Sequence, residues 1–134
     1  MIGMQVLSSN EGNQLVVDTD AVRSWVDRYI AAWRSNEADD IAALFTPDAV
    51  YLTGPFDTPW RGHDGITSGW LENKDEPGDW SFTYDVIATG SIGVVEGRTT
   101  YPDREFANIW LIDLDEAGAV ARGFTEYYMS RAPG

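Results

Sequence analysis

The chain of 134 residues is long enough for one domain with its own core, and a hydrophobic content of 43% is ordinary for a globular protein. Its 22 acidic and 9 basic residues give a net charge of -13, which disfavours nucleic acid and anionic membrane surfaces as partners. There is no cysteine, so disulfides and thiolate chemistry are excluded.

The N-terminal residues 1–18 show no helical period, and we predict an arm with a short strand at "LVV". They lack the basic and apolar regions of a signal peptide, and no apolar run in the chain approaches the ~18 residues that cross a bilayer. We therefore expect a cytoplasmic protein whose single domain occupies residues 19–131.

A long first helix is predicted from apolar residues that recur at helical spacing and form one broad stripe. The helix is expected to begin with Thr19 or Asp20 as its cap and to end at "SNE". The residues of the stripe are Val22, Trp25, Val26, Tyr29, Ile30 and Trp33.

The next segment predicts two shorter helices separated by a strand. "ADDIAALF" has a helical pattern that Pro47 should stop, and "DAVYLT" is typical of a strand. The Pro- and Gly-rich stretch "YLTGPFDTPWRGHD" then leads into a third helix, which Asp64 could cap and which turns Ile66, Trp70 and Leu71 inward.

The second half contains four strand candidates of similar length, "WSFTYDVIAT", "IGVVEGRTTY", "REFANIWLID" and "VARGFTEYYMS". The turn sequences "GS", "PD" and "DEAG" between them suit antiparallel hairpins. Helices followed by hairpin strands predict an α+β fold with the helices on one face of a bent antiparallel sheet.

Over roughly residues 20–130 the chain resembles the SnoaL-like group of the nuclear-transport-factor-2-like domains, which have a cystatin-type cone fold. The resemblance is carried by "WVDRYIAAWRSNEADDIAALFTPDAVY", "PWRGHDGI" and "FTEYYM" in this order. It implies a curved antiparallel sheet wrapped on the long N-terminal helix plus two shorter helices, with an apolar cone that usually binds a ligand and an outer sheet face that often forms a homodimer. The fold hosts ketosteroid isomerases, polyketide cyclases, epoxide hydrolases and non-enzymatic binders, so it does not decide the function.

Strand alternation groups the residues of the last three strands into faces. The resemblance implies that three sets of alternate residues point into the cone, which would place Arg98 across from Glu126. The alternative for Arg98 is a solvated ion pair on the outer face, worth only ~0–1 kcal/mol. The three sets are Glu96, Arg98 and Thr100; Phe106, Asn108 and Trp110; and Phe124, Glu126 and Tyr128.

Similarity to the ketosteroid isomerases places Tyr29 and Asn108 at the two hydrogen-bond donors that stabilise an enolate. The catalytic base of that family would fall at Gly54, and the nearest acid, Asp57, is three residues away. That mismatch argues against a ketosteroid isomerase.

Similarity to the limonene-type epoxide hydrolases matches Tyr51, Arg98 and Glu126 to three of five functional residues. Thr53 and Thr100 replace the other two, and Glu96 is a conceivable substitute for the missing acid.

A SnoaL-like cyclase needs only one acid/base group beside an apolar cavity, for which His63 or Glu126 could serve. His63 precedes a predicted helix, whose dipole opposes protonation, and a surface or capping role is the alternative. Trp25, Trp33, Trp70 and Trp110 fall on apolar stripes as core residues do, whereas Trp60 lies in a loop and could close over the mouth of the cone.

We predict a protein that binds a small hydrophobic molecule, either as a cofactor-free acid/base enzyme or as a non-catalytic carrier, and forms a homodimer. A protein-interaction module with a filled cone is a third possibility. One histidine, no cysteine and no calcium-type loop predict no metal site, and no cofactor is expected. The candidate catalytic residues are Tyr29, Tyr51, Arg98, Asn108 and Glu126. The candidate ligand-binding residues are Trp33, Thr53, Trp60, His63, Trp70, Glu96, Phe106, Trp110, Phe124 and Tyr128.

Overall fold

The computed structural model describes residues 18–130 apart from position 77. Of the arm predicted at 1–18, residues 1–17, including the strand predicted at 15–17, lie outside the described residues. The described part forms helices α1 (Thr19–Ser35), α2 (Ala38–Ala42) and α3 (Gly62–Glu72) and strands β1 (Phe45–Leu52), β2 (Trp60–Arg61), β3 (Ser81–Ala88), β4 (Gly93–Tyr101), β5 (Arg104–Leu114) and β6 (Ala121–Ser130). The predicted α+β fold is confirmed.

The six strands form one sheet in the order β2-β1-β6-β5-β4-β3. Strands β3 to β6 follow one another as antiparallel neighbours, as the hairpin turns predicted. Strand β1 pairs with β6 in parallel, so the sheet is mixed rather than purely antiparallel. The parallel pair brings the end of β1 beside the middle of β6, where Tyr51 is the partner of Phe124.

Helix α1 begins one residue earlier than predicted. Asp18 is its cap and accepts a hydrogen bond from the backbone N–H of Ala21 at 2.7 Å, which satisfies one of the free donors of the first turn. The helix ends where "SNE" predicted, at Asn36 in the left-handed conformation with φ 52°. Its buried stripe packs against the sheet and consists of Val22, Trp25, Val26, Tyr29 and Ala32.

Two boundary predictions were wrong. Pro47 does not end α2 but lies inside β1, at an irregularity in the pairing with β6, where a residue without an N–H is tolerated. Asp64 lies in the first turn of α3, and Arg61 holds the cap position. The turn into α3 is made by Gly62, whose φ of 71° favours glycine.

The core lies between the helices and the inner face of the sheet. Trp25 is fully buried, and its indole nitrogen donates to the carbonyl of Leu44 at 2.9 Å. Its ring contacts Phe45 and Phe124, so α1, β1 and β6 meet at this residue. This aromatic layer supports the base of the cavity described next.

Candidate functional site

A cavity of about 560 Å³ opens between α1, α3 and the inner face of the sheet. This volume is within the range of small-molecule sites. Half of the lining is aromatic and half polar, so the cavity is less apolar than the resemblance implied. The aromatic lining residues are Tyr29, Trp33, Tyr51, Trp60, Trp70, Tyr101, Phe106, Trp110 and Tyr128; the polar ones are Thr53, Asp57, Thr58, Asn73, Lys74, Asp75, Thr99, Asn108 and Glu126.

Glu126 is held in this cavity through one of its two carboxylate oxygens. Its Oε2 accepts hydrogen bonds from Asn108 Nδ2 at 2.9 Å and from Trp110 Nε1 at 2.8 Å. Thr99 donates to Asn108 Oδ1 at 2.9 Å and thereby fixes which way the amide points. No hydrogen bond from the residues in the described part of the chain reaches Oε1. The carboxylate is therefore oriented but keeps one oxygen available.

The pKa of Glu126 is raised above the ordinary glutamate value. Burial is the main cause, because it disfavours the charged form, and the negative charge of Asp75 acts in the same direction. The hydrogen bonds from Trp110 and Asn108 oppose the rise, since they stabilise the carboxylate. The side chain is thus shifted towards the range in which it can both accept and return a proton.

Tyr29 and Tyr51 form a hydroxyl pair on the cavity wall, with 2.6 Å between their oxygens. Both rings are buried, and burial raises the pKa of each hydroxyl above its ordinary value, so both stay protonated. One hydroxyl donates to the other. The accepting hydroxyl keeps its own proton for a further acceptor in the cavity.

Asp75 lies between α3 and β3 and is a site residue that sequence reasoning missed. Its Oδ2 accepts hydrogen bonds from Trp33 Nε1 at 3.0 Å and Tyr101 OH at 2.8 Å, and its backbone carbonyl accepts from Asn36 Nδ2 at 2.9 Å. In the sequence it is one acid among several in "ENKDEPGD", and nothing there distinguishes it from a solvated loop residue.

The predicted inward orientation of Arg98 and Glu96 was wrong, and with it the pairing of Arg98 with Glu126. Both residues are exposed on the outer face of β4. The two-residue turn after β4 pairs Tyr101 with Arg104, and this register places Thr99 beside Phe106 and Gly97 beside Asn108. Residues paired in this way share a face, so the inward set of β4 is Val95, Gly97 and Thr99.

His63 and Phe124 also lie outside the cavity lining. His63 Nε2 is 2.8 Å from the carbonyl oxygen of Phe45, so its imidazole links the start of α3 to β1. Phe124 is 2% exposed and packs behind the wall, with its ring 4.6 Å from that of Tyr51. Neither side chain contributes a polar group to the cavity.

Trp60 lines the cavity from the rim, but it lies in the short strand β2, paired with Tyr51, and not in a loop as predicted. Its ring stacks on Tyr51 at 4.8 Å and covers Gly69 of α3, where a Cβ would come within 2.3 Å of the indole. That α3 carries a glycine at this position explains how the ring can lie so close to the helix. A lid function for Trp60 stays a prediction.

A second carboxylate reaches the rim through a local turn. Asp57 Oδ2 accepts a hydrogen bond from Thr53 Oγ1 at 2.7 Å. The same oxygen would lie 3.1 Å from a Cβ placed on Gly54. The carboxylate of Asp57 therefore lies next to the space of the residue-54 side chain, where the ketosteroid-isomerase resemblance expects its base.

The described part of the chain also bears on metal binding and on membrane insertion. None of its His, Asp and Glu side chains form a group of three or more arranged to hold a metal ion. Residues 18–130, position 77 aside, contain no helix of the length and apolarity that a bilayer crossing requires.

Solved structures with the same fold include several of low sequence identity. A provisionally named ketosteroid isomerase from Kribbella flavida DSM 17836 is 18% identical, with a TM-score of 0.68, and the match covers 88% of this chain and 84% of that one. An NTF-2 like protein of unknown function from Burkholderia xenovorans LB400 is 14% identical (TM-score 0.66, 86% and 89% covered). A protein of unknown function with a cystatin-like fold from Methylobium petroleophilum PM1 is 18% identical (TM-score 0.65, 88% and 82% covered). At these identities the likeness shows the fold alone.

Comparison with curated proteins gives no match. The sequence itself matches the SnoaL-like domain family over residues 26–127, which includes most of α1, the whole of β1 to β5 and most of β6. The chain therefore belongs to the SnoaL-like domain family.

Proposed function

We propose that this protein binds a small molecule with a mostly apolar body in its cavity and catalyses a proton transfer on that molecule without a cofactor. Glu126 is the acid/base residue. The observation that carries the proposal is the Glu126 carboxylate, held by Asn108 and Trp110 through Oε2 while Oε1 has no partner in the described chain.

The hydrogen bonds to Oε2 restrict the carboxylate to one orientation, which is what a proton-transferring group requires. The raised pKa makes the carboxylate of Glu126 a stronger base than an ordinary glutamate, which favours removal of a proton from a weak carbon acid. Asn108 and Thr99 are positioning residues in this proposal, because they act on a ligand only through Glu126.

The hydroxyl pair of Tyr29 and Tyr51 supplies the complementary group. Removing a proton next to a carbonyl places negative charge on the carbonyl oxygen, and a neutral O–H in a buried site stabilises that charge. Because burial raises the pKa of both tyrosines, the pair remains a donor throughout the neutral range. A base and an oxyanion donor on one cavity are the minimum for an isomerisation or an aldol cyclisation.

Epoxide hydration is less well supported. The resemblance to epoxide hydrolases depends on Arg98, which lies exposed on the opposite face of the sheet from Glu126. Lys74 is the only basic residue that lines the cavity in the described part of the chain. We therefore favour proton transfer beside a carbonyl.

Deuterium incorporation tests this proposal without requiring that the natural substrate be known. A panel of aryl ketones and cyclic unsaturated ketones is incubated with the protein in D₂O, and exchange at the carbon next to the carbonyl is followed by mass spectrometry. Glu126→Gln should abolish the exchange that the wild type catalyses. Glu96→Gln, the same change on the outer face, should leave it intact.

Asp57, the acid at the rim of the cavity, is the alternative candidate for the base. If Asp57→Asn loses exchange and Glu126→Gln keeps it, the base is Asp57 and the role given to Glu126 is wrong. Binding of panel ketones by the wild type, without exchange of any, would instead support a non-catalytic carrier.

The outer sheet face supports a second, independent proposal of a homodimer. Tyr127 and Met129 are 43% and 74% exposed on β6, beside Ile109 and Ala107 of β5. A matching apolar face on a second copy would cover them. Light scattering should give twice the monomer mass, and Met129→Glu should reduce it. The cytoplasmic location stays a prediction.

A further inference from the structure

We propose that the ligand of the cavity carries a positively charged nitrogen, which binds at Asp75 beside the rings of Trp33 and Tyr101. This rests on the proposed function in one respect, that the cavity binds a small molecule. It does not require Glu126 to be catalytic.

The first argument is the unused oxygen of Asp75. Trp33 and Tyr101 both donate to Oδ2, and no residue in the described chain forms a hydrogen bond with Oδ1. Asp75 takes part in neither of the ion pairs Arg104–Asp103 and Arg122–Asp113. Because Asp75 is half-buried, its carboxylate loses part of its solvation, and the bonds from Trp33 and Tyr101 replace it on Oδ2 only. A ligand cation would replace it on Oδ1.

The second argument is the charge of the cavity wall. Asp57, Asp75 and Glu126 line the cavity, against one basic residue, Lys74. Lys74 is exposed and forms no ion pair in the described part of the chain. Such a wall repels anions, and a neutral ligand would supply no positive charge to interact with the carboxylates. The net charge of the whole chain, -13, also steers cations towards it.

The aromatic surround is rigid: Trp33 and Tyr101 hold Asp75 through their N–H and O–H groups, which keeps Oδ1 in one position for a ligand. Trp33 stacks on Trp80 at 3.8 Å, which fixes its ring beside Asp75. Tyr101 already contacts a cation, because the guanidinium of Arg104 lies 4.4 Å from its ring centre. Arg104 is exposed and its charge is partly balanced by Asp103 at 3.5 Å, so it weakens the site for a second cation only in part.

The test compares three molecules that share one apolar body and differ in charge: phenylbutylamine, phenylbutanol and phenylbutyrate. Their dissociation constants are measured by isothermal titration calorimetry at neutral pH and at two salt concentrations. The variant is Asp75→Asn, whose Oδ1 can still accept the bonds from Trp33 and Tyr101. The matched control is Asp85→Asn, the same change at an exposed position of β3.

The wild type should bind the amine about tenfold or more tightly than the alcohol, and the butyrate most weakly. Asp75→Asn should remove the preference for the amine and leave the alcohol unchanged, whereas Asp85→Asn should alter neither. The proposal is overturned if the alcohol or the butyrate binds at least as well as the amine, if none of the three binds at millimolar concentration, or if the preference survives in Asp75→Asn.

Asp75→Asn is checked for folding by thermal unfolding; if it does not fold, the order of amine and alcohol in the wild type decides alone. Loss of proton transfer in Glu126→Gln has no bearing on this order. The two proposals can therefore fail separately.

Discussion

The paired hydroxyls of Tyr29 and Tyr51 allow a test of whether the cavity wall is built as described. Both side chains are nearly fully buried, at 7% and 5% exposure, and their oxygens are 2.6 Å apart. Replacing either tyrosine by phenylalanine leaves the other hydroxyl without its partner. Replacing both removes the donor and the acceptor together while keeping the rings that pack against Phe124.

The magnitudes follow from the cost of an unpaired buried polar group, about 1–3 kcal/mol. Because the cavity offers the remaining hydroxyl some access to water, we expect each single variant to lose about 1–2 kcal/mol in free energy of unfolding. The double variant should lose about 1 kcal/mol, because no hydroxyl is left unpaired. The coupling between the two positions is then roughly 1–3 kcal/mol.

Urea denaturation followed by tryptophan fluorescence gives the four free energies of this cycle, and each single change should lower the melting temperature by roughly 3–8 °C. Tyr127→Phe, on the exposed outer face, is the control and should stay within about 0.5 kcal/mol of wild type. Additive losses in the double variant would mean that the two hydroxyls do not depend on each other, and the donor role proposed for the pair would lose its basis.

Two further predictions concern the rim and the buried acid. Gly69→Ala should displace the indole of Trp60 and destabilise the fold by about 1–3 kcal/mol. Gly65→Ala in the same helix, where the nearest atom is 3.8 Å away, should be neutral or stabilise by up to about 1 kcal/mol. Unfolding curves of the two variants give the comparison, and equal effects would contradict the close packing of Trp60. The raised pKa of Glu126 means that its contribution to stability is present below the ordinary glutamate pKa and is lost as pH rises through the raised value. Glu126→Gln should therefore gain stability relative to wild type as pH rises through that range. Melting temperatures of the two proteins as a function of pH report the difference, and a flat difference would show that the Glu126 carboxyl is not perturbed.

The sequence predicted the helices and the long strands because each has its own local pattern. The stripe on α1 and the turns "GS", "PD" and "DEAG" are short-range signals. The turns predicted the ends of β3 to β6 to within one or two residues. The parallel pairing of β1 with β6 joins segments about 75 residues apart, and no local pattern reports it. The irregularity in that pairing is also what admits Pro47 to a strand.

The misplacement of Arg98 was avoidable from the sequence. A two-residue turn at "PD" makes Tyr101 the partner of Arg104, so an inward Phe106 requires an inward Thr99. Arg98 is then outward. The register of the hairpin, and not a functional position in a similar family, determines which face Arg98 occupies.

Asp75 could not have been found from sequence alone. Its place in the site depends on hydrogen bonds from Trp33 and Tyr101, which are distant in the chain and meet it only after the sheet has formed. Glu126 differs from Asp75: strand alternation and the resemblance predicted its face, but the donors that hold Oε2 depend on the pairing of β5 with β6.

A crystal structure of the protein as purified from cells would test most directly the claim that Glu126 presents a free oxygen to an open cavity. The account predicts that Oε2 is held by Asn108 and Trp110, and that Oε1 is in contact only with solvent or with a bound molecule. A cavity filled by the protein's own side chains, or Oε1 bound by the ammonium group of Lys74, would contradict it.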